Sequence, residues 1–167
     1  EWKKKVYDFS KGIRAISSSI RRSIPAFLDS KIHHNNMLSL VIAKMHANIA
    51  GFDAAVMLDE RGFVAELNDT NLFMAKNNKV YTPFPHACLP GITRGTFMEL
   101  LKENNIEIEE RDLTLVEFIN ADLVFATGTN GEITPVTEME GREIKCDQDF
   151  LEKIKNLFEA KLPSLCE

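Results

Sequence analysis

Apolar residues recur along this chain with two spacings, and their alternation predicts its elements. Gly12 to Ser18 mixes Ile13, Ala15 and Ile16 with polar residues and reads as a strand, which Arg21, Arg22 and Pro25 then break. From about Asn36 to Ala50, Met37, Leu40, Val41, Met45 and Ile49 fall at helical spacing, with Lys44 the exception, and Gly51 stands where a C-cap glycine belongs. Short strands are expected over Ala54–Leu58, Phe63–Glu66, Leu72–Ala75 and Lys79–Tyr81, separated by polar turns such as Asp59-Glu60-Arg61-Gly62. Asn77-Asn78 marks a hairpin corner, and Pro83, Pro85 and Pro90 make the next loop irregular. Helical spacing returns over Thr93–Asn104 through Phe97, Leu100 and Leu101. A strand over Ile106–Arg111, a short helix over Leu113–Ile119, and strands over Leu123–Ala126 and Glu132–Glu140 follow. Phe150, Ile154, Leu157 and Phe158 make Asp149–Ala160 an amphipathic closing helix. The pattern predicts an α+β domain, strand-rich in the middle with helices packed outside. No internal repeat or low-complexity linker divides it.

Composition narrows the function classes. A length of 167 residues predicts one domain with a sizeable core, and 44% hydrophobic with 27% charged residues is ordinary for a globular chain. A net charge of −5 does not favour nonspecific binding to nucleic acid or to an anionic membrane. No apolar run approaches the roughly 18 residues of a membrane span, and no signal-peptide pattern is present. Cys88, Cys146 and Cys166 are odd in number and lack metal-ligand spacing, which fits a reducing, cytoplasmic compartment. The chain opens at Glu1, and Trp2 to Phe9 reads as the middle of something longer, so residues 1–11 are expected to be an interdomain or leading segment.

Four places could carry chemistry, although each alone also fits an ordinary structural role. Lys31, between Asp29-Ser30 and a predicted helix, could form a Schiff base if desolvated enough to lose its proton; alone it reads as a solvated surface lysine. Glu66 ends a strand beside apolar residues, where a carboxylate could hold a ring nitrogen protonated. Leu89-Pro90-Gly91-Ile92-Thr93-Arg94 opens a helix, and the free N–H groups of a helix start suit a phosphate. Thr127-Gly128-Thr129-Asn130-Gly131 follows a strand with hydroxyls and N–H groups that suit a phosphate or carboxylate. His33 and His34 are adjacent, so on a strand they would face opposite ways, and neither His46 nor any carboxylate or cysteine completes a metal-ligand spacing. Cys88 has no evident base beside it in the sequence.

The four pieces together, in this order, resemble the class IV (fold-type-IV) pyridoxal-phosphate (PLP) aminotransferases, a family that includes branched-chain and D-amino-acid aminotransferases and aminodeoxychorismate lyase. The resemblance runs from about Gly12 to Ala160. It is carried by Ile16 to Arg22, Ser30-Lys31, Ala43 to Ala47, Gly51 to Ala55, Leu58 to Glu66 with Asn71-Leu72-Phe73, Tyr81-Thr82-Pro83, Leu89 to Arg94, and Ala121 to Val136. It implies that residues 12–167 are the family's PLP-binding large domain, with its small N-terminal domain apparently absent. It makes Lys31 the lysine that carries the cofactor and moves protons, and Glu66 the partner of the pyridine nitrogen. Ile92 and Thr93 would give the phosphate their N–H groups and Thr129 its hydroxyl, and the Thr129-Asn130 turn would lie by the substrate carboxylate. The implied reaction moves an amino group between an amino acid, of branched-chain type, and a 2-oxo acid. A homodimer is implied on the same ground alone. A lyase on the same scaffold and a non-catalytic remnant are the competing readings.

The departures bear on the pocket. His33-His34 replace small residues after Lys31, and Asn36 or Met37 stands where a tyrosine is usual. Leu67 replaces a common glycine, and Asn130-Gly131 replace a pair of alanines.

Overall fold

The computed structural model describes residues 11–129 and 132–165; the opening stretch Trp2–Phe9 and the Asn130–Gly131 turn lie outside them. The first strand, β1 (Ile13–Arg21), buries Ile13 and Ala15. It runs three residues beyond the Ser18 expected from sequence. Its pairing with β2 (Ala54–Leu58) persists to Arg21↔Leu58, and Arg22 N still donates to the Leu58 carbonyl at 2.9 Å. Tertiary pairing outweighs the local breaker signal there. Between these strands lies α1 (Leu38–Ile49), whose Ala43 and Ala47 pack on Ala55 and Met57 of β2. Small residues on that face let the helix lie close to the sheet. Gly51 closes the helix as expected, at φ +82°, with Phe52 N donating to the Ala47 carbonyl at 2.9 Å.

A tight turn leads from β2 into the antiparallel β3 (Val64–Leu67). Asp59 organises it: its Oδ1 accepts from the Arg61 and Phe63 amides at 2.9 Å each. Then β4 (Asn71–Lys76) and β5 (Lys79–Pro83) form the hairpin that Asn77-Asn78 predicted, both asparagines lying at positive φ, 51° and 61°. After the proline-rich loop comes α2 (Ile92–Glu103), and β6 (Ile108–Arg111) returns parallel to β5. The short α3 (Leu115–Ile119) starts in a capping box, with Thr114 and Glu117 each bonding the other's backbone amide. Thr114→Ala is expected to cost about 1 kcal/mol, read as a lower urea midpoint at unchanged slope.

Next, β7 (Leu123–Gly128) pairs antiparallel with both β4 and β8 (Glu132–Met139). The two-residue β9 (Arg142–Glu143) turns back on β8, and α4 (Gln148–Lys161) follows, capped by Asp147, whose side chain accepts from Phe150 N at 3.1 Å. The strands form one mixed sheet in the order β3-β2-β1-β8-β7-β4-β5-β6, with β1 parallel to both its neighbours. Period-two alternation divides the apolar residues between its two faces. Leu72, Met74, Val124 and Ala126 join one core cluster. Phe73, Ala75, Leu123 and Phe125 join the other, beneath α2 and α4, where Phe73 stacks on Phe125 at 5.2 Å. The expected α+β class, strands central and helices outside, is what forms. Among the described residues no helix is long and apolar enough to cross a membrane.

Candidate functional site

Glu66 sits on β3, only 6% exposed, and its two carboxylate oxygens meet different surroundings. Oε1 pairs with Arg22 Nε at 2.9 Å, and that nitrogen also donates to the Ala87 carbonyl at 3.0 Å. Oε2 receives only long bonds, from Asn71 Nδ2 at 3.3 Å and Leu89 N at 3.4 Å. It therefore keeps acceptor capacity, and Glu66 lines a cavity. Burial pushes the carboxyl up from 4.5 to about 7, against the pull of the Arg22 guanidinium and the Leu89 amide.

That raised value has a consequence for stability. Between its ordinary range and about pH 7, the folded chain holds a proton on Glu66 that the unfolded chain has lost. The stability it contributes is complete below the ordinary range and is lost as pH rises toward 7, by about 3 kcal/mol at most. Urea midpoints measured at pH 5 and pH 8 should show the fall, and a fall of the same size in Glu66→Gln would trace it to other groups.

The cavity, about 120 Å³, is lined by Arg22, Ser30, His33, His34, Glu66 and Asn68 among others. Lys31 lies elsewhere. It is exposed and lines a separate hollow of about 290 Å³ with Ile24, Glu60, Arg61 and His86. The structure thus brings Glu66 together with the two histidines of the β1–α1 segment, and Lys31 with Arg61.

Beyond the cavity, Asn71 ties Glu66 to the start of α2. Its Nδ2 also donates to the Leu89 carbonyl at 2.9 Å, and a Cβ at Gly91 would overlap its Oδ1, so this close approach requires glycine. Gly91 is the N-cap and offers no side-chain cap, which leaves the first amides of α2, including those of Ile92 and Thr93, without partners in the helix. Arg94 fixes the first turn by donating to the Pro83 carbonyl at 2.9 Å and pairing with Glu110. Thr129 is exposed in the turn after β7. Thr127, two residues earlier, is 2% exposed, and its Oγ1 is buried with no hydrogen-bond partner among the described residues. It stands directly opposite Asn71 in the β4–β7 register, so the two side chains share a face beside the α2 start. Asn130 lies outside the described residues.

Arg22, Asn71 and Thr127 are the parts of this arrangement that the sequence reading did not assign roles. Arg22 read as a strand breaker and Thr127 as one hydroxyl of a polar turn. The signal for Thr127 was its place at the end of an apolar run, where an inward hydroxyl needs a partner.

The family model described as amino-transferase class IV matches residues 1–139. The chain belongs to this family. It is 51% identical over 144 residues to branched-chain-amino-acid aminotransferase-like protein 2 of Arabidopsis thaliana, covering 86% of this chain and 26% of that protein. It is 43% identical over 150 residues to a putative branched-chain-amino-acid aminotransferase of Methanocaldococcus jannaschii, covering 88% of this chain and 52% of that one. Among solved structures, the branched-chain amino acid aminotransferase of Escherichia coli superposes with a TM-score of 0.85 at 32% identity, over 90% of this chain and 52% of that chain. The branched-chain amino acid aminotransferase of Thermobaculum terrenum in its PLP form gives the same TM-score at 28% identity, again over 90% of this chain and 52% of that chain. The chain thus spans about a quarter to a half of the length of these class IV aminotransferase relatives.

Proposed function

We propose that this chain, residues 12–167 in particular, is the PLP-holding domain of a transaminase that moves an amino group between a branched-chain amino acid and a 2-oxo acid. The observation that carries the reading is the buried Glu66, which lines a cavity with Arg22, one oxygen paired with Arg22 and the other tied through Asn71 to Leu89 just before α2. The residues present fit the group. Glu66 Oε2 would hold a proton on the ring nitrogen. The Ile92 and Thr93 amides would bind the phosphate, aided by the α2 dipole. The Thr129 hydroxyl would join them, and the unpartnered Thr127 hydroxyl is a buried donor on the same side. When bound, the group withdraws electrons from the carbon that carries the amino group, which is the chemistry amino transfer needs. Arg22 keeps Glu66 in place from behind, and the Thr129-Asn130 turn is proposed to meet the substrate carboxylate.

The exposed Leu38, Val41, Met45 and Ile49 on α1 support a homodimer or an interdomain contact on that side. A cytoplasmic location is proposed on the free thiols of Cys88 and Cys146. The test is direct. The full-length protein, given PLP, leucine and 2-oxoglutarate, should form glutamate in proportion to the leucine consumed. Pyruvate released from aminodeoxychorismate with no amino acceptor present would assign a lyase instead. Inactivity toward every amino donor tried, with PLP bound, would overturn the transaminase reading.

A further inference from the structure

The turn from β3 to β4 sets Glu66 and Asn71 close together. Leu67 N donates to the Thr70 carbonyl at 2.9 Å, and Asn68 Oδ1 accepts from Ala55 N at 2.8 Å, so the turn is held from within and from β2. Asn71 follows as the first residue of β4. Alternation puts its side chain on the face of Phe73 and Ala75, the face beneath α2. There its Nδ2 donates to Glu66 Oε2 at 3.3 Å and to the Leu89 carbonyl at 2.9 Å. Both partners are acceptors, which fixes the orientation of the amide: its nitrogen faces them and its oxygen faces Gly91.

The start of α2 is thereby braced on two sides. Arg94 ties the first turn to the Pro83 carbonyl and to Glu110, and Asn71 ties Leu89 to Glu66. Leu89 N also donates to Glu66 Oε2, at 3.4 Å. A stiff ligand that reaches Glu66 with one end and the α2 amides with the other gains from both only where the span between the two anchors matches its own length. We propose that Asn71 is a positioning residue for the cofactor: it fixes the span between the carboxylate that meets the ring nitrogen and the α2 amides that meet the phosphate. The inference rests on the function proposed above, and it adds a residue that acts through Glu66 and Leu89 without touching the cofactor itself. The bonds to Oε2 are long, so Asn71 orients the carboxylate without using up its capacity to accept.

Pyridoxamine phosphate is the probe, since it has no aldehyde and reads the noncovalent anchors alone. Its binding to the full-length protein is followed by equilibrium dialysis and by the NMR signals of its phosphorus and of its isotopically labelled ring nitrogen. Asn71→Leu keeps the branched outline of the side chain and removes both donated bonds. It is expected to weaken binding by about tenfold. At saturation it should move the ring-nitrogen signal toward that of the neutral ring, while the phosphorus signal keeps its place. Gly91 lies at φ −59°, where alanine is allowed. The methyl of Gly91→Ala would press on Asn71 Oδ1, with Arg94 Cβ no nearer than 3.7 Å, and should shift the nitrogen signal in the same direction. In an Asn71→Ala background the same methyl should weaken binding by less than about twofold. If Asn71→Leu does not fold, Gly91→Ala carries the comparison. An unmoved nitrogen signal in either folded variant would overturn the inference, as would full additivity of Gly91→Ala and Asn71→Ala, and both results leave the function standing. Failure of the unsubstituted protein to bind pyridoxamine phosphate would instead remove the function itself, and the inference with it.

Discussion

Changing Glu66 to glutamine is expected to slow amino transfer by about 100- to 1,000-fold and to weaken PLP binding by less than about tenfold. The two carboxylate oxygens explain the difference. Glutamine keeps the shape of the side chain, and its carbonyl oxygen can still accept from Arg22 Nε, now 2.9 Å from Oε1. The bonds that tie Glu66 to Asn71 and Leu89 are then largely kept, and with them the position of the α2 amides proposed for the phosphate. What glutamine cannot do is balance a positive charge on the ring nitrogen. A neutral ring draws electrons poorly, so the loss falls on turnover. Turnover at saturating substrate and equilibrium dialysis of PLP, measured on the same preparation, separate the two effects. Unchanged turnover would remove Glu66 from the ring-nitrogen position.

Arg22→Met is expected to have the largest effect on stability, about 3–5 kcal/mol at pH 8. Both partners of the Arg22–Glu66 pair are less than a tenth exposed. Removing the guanidinium leaves Glu66 either charged in a dry site, with only the long bonds from Asn71 and Leu89 to hold that charge, or obliged to take up a proton, and both cost stability at pH 8. Methionine fills much of the same space, so a cavity contributes little. The pH dependence identifies the cause. Glu66 already titrates near 7 with Arg22 present, and without the arginine its proton should be held still more strongly. At pH 5 the acid is neutral in both proteins, and with Glu66 titrating near 7 in the parent the penalty should be smaller there than at pH 8, by at most about 1.4 kcal/mol. Urea midpoints at pH 5 and pH 8 give the comparison. An equal loss at both values would show that Arg22 acts through packing and its bond to the Ala87 carbonyl, and not through its charge.

The sheet was legible in the sequence because its signals are local. The Asn77-Asn78 corner needs two residues that tolerate positive φ, and the Gly51 helix end needs one, and both dictate their own geometry. The limits of β1 were less legible, since Arg21 is held in the ladder by Leu58, far along the chain. The candidate site divides along the same line. The start of α2 declares itself through Pro90-Gly91 followed by a helical pattern. The neighbours of Glu66 do not, because Arg22, Asn71 and Leu89 meet it from three separate segments. Lys31 shows how far spacing alone carries. Its neighbours in sequence place it beside the site, but the hollow its side chain lines depends on a turn in which Asp29 accepts from Lys31 N and Ser30 is held by the Ser23 carbonyl.

The position of β1 also governs the order in which this domain can assemble as it is made. On the ribosome, β1 emerges first among the described strands, yet one of its two sheet partners, β8, emerges more than a hundred residues later, with Ile13 meeting Val136. Parallel partners so distant in sequence close late, since the loop between them must be ordered first. The nascent chain can build the β1–α1–β2–β3 unit, and with it the Arg22–Glu66 pair, while the β8 edge of β1 is still open. An open edge that carries buried apolar residues is a template for mispairing. Synthesis that stalls before residue 132 should therefore yield aggregates seeded on β1, and a chaperone that covers extended apolar segments should dissociate only once β8 has been released.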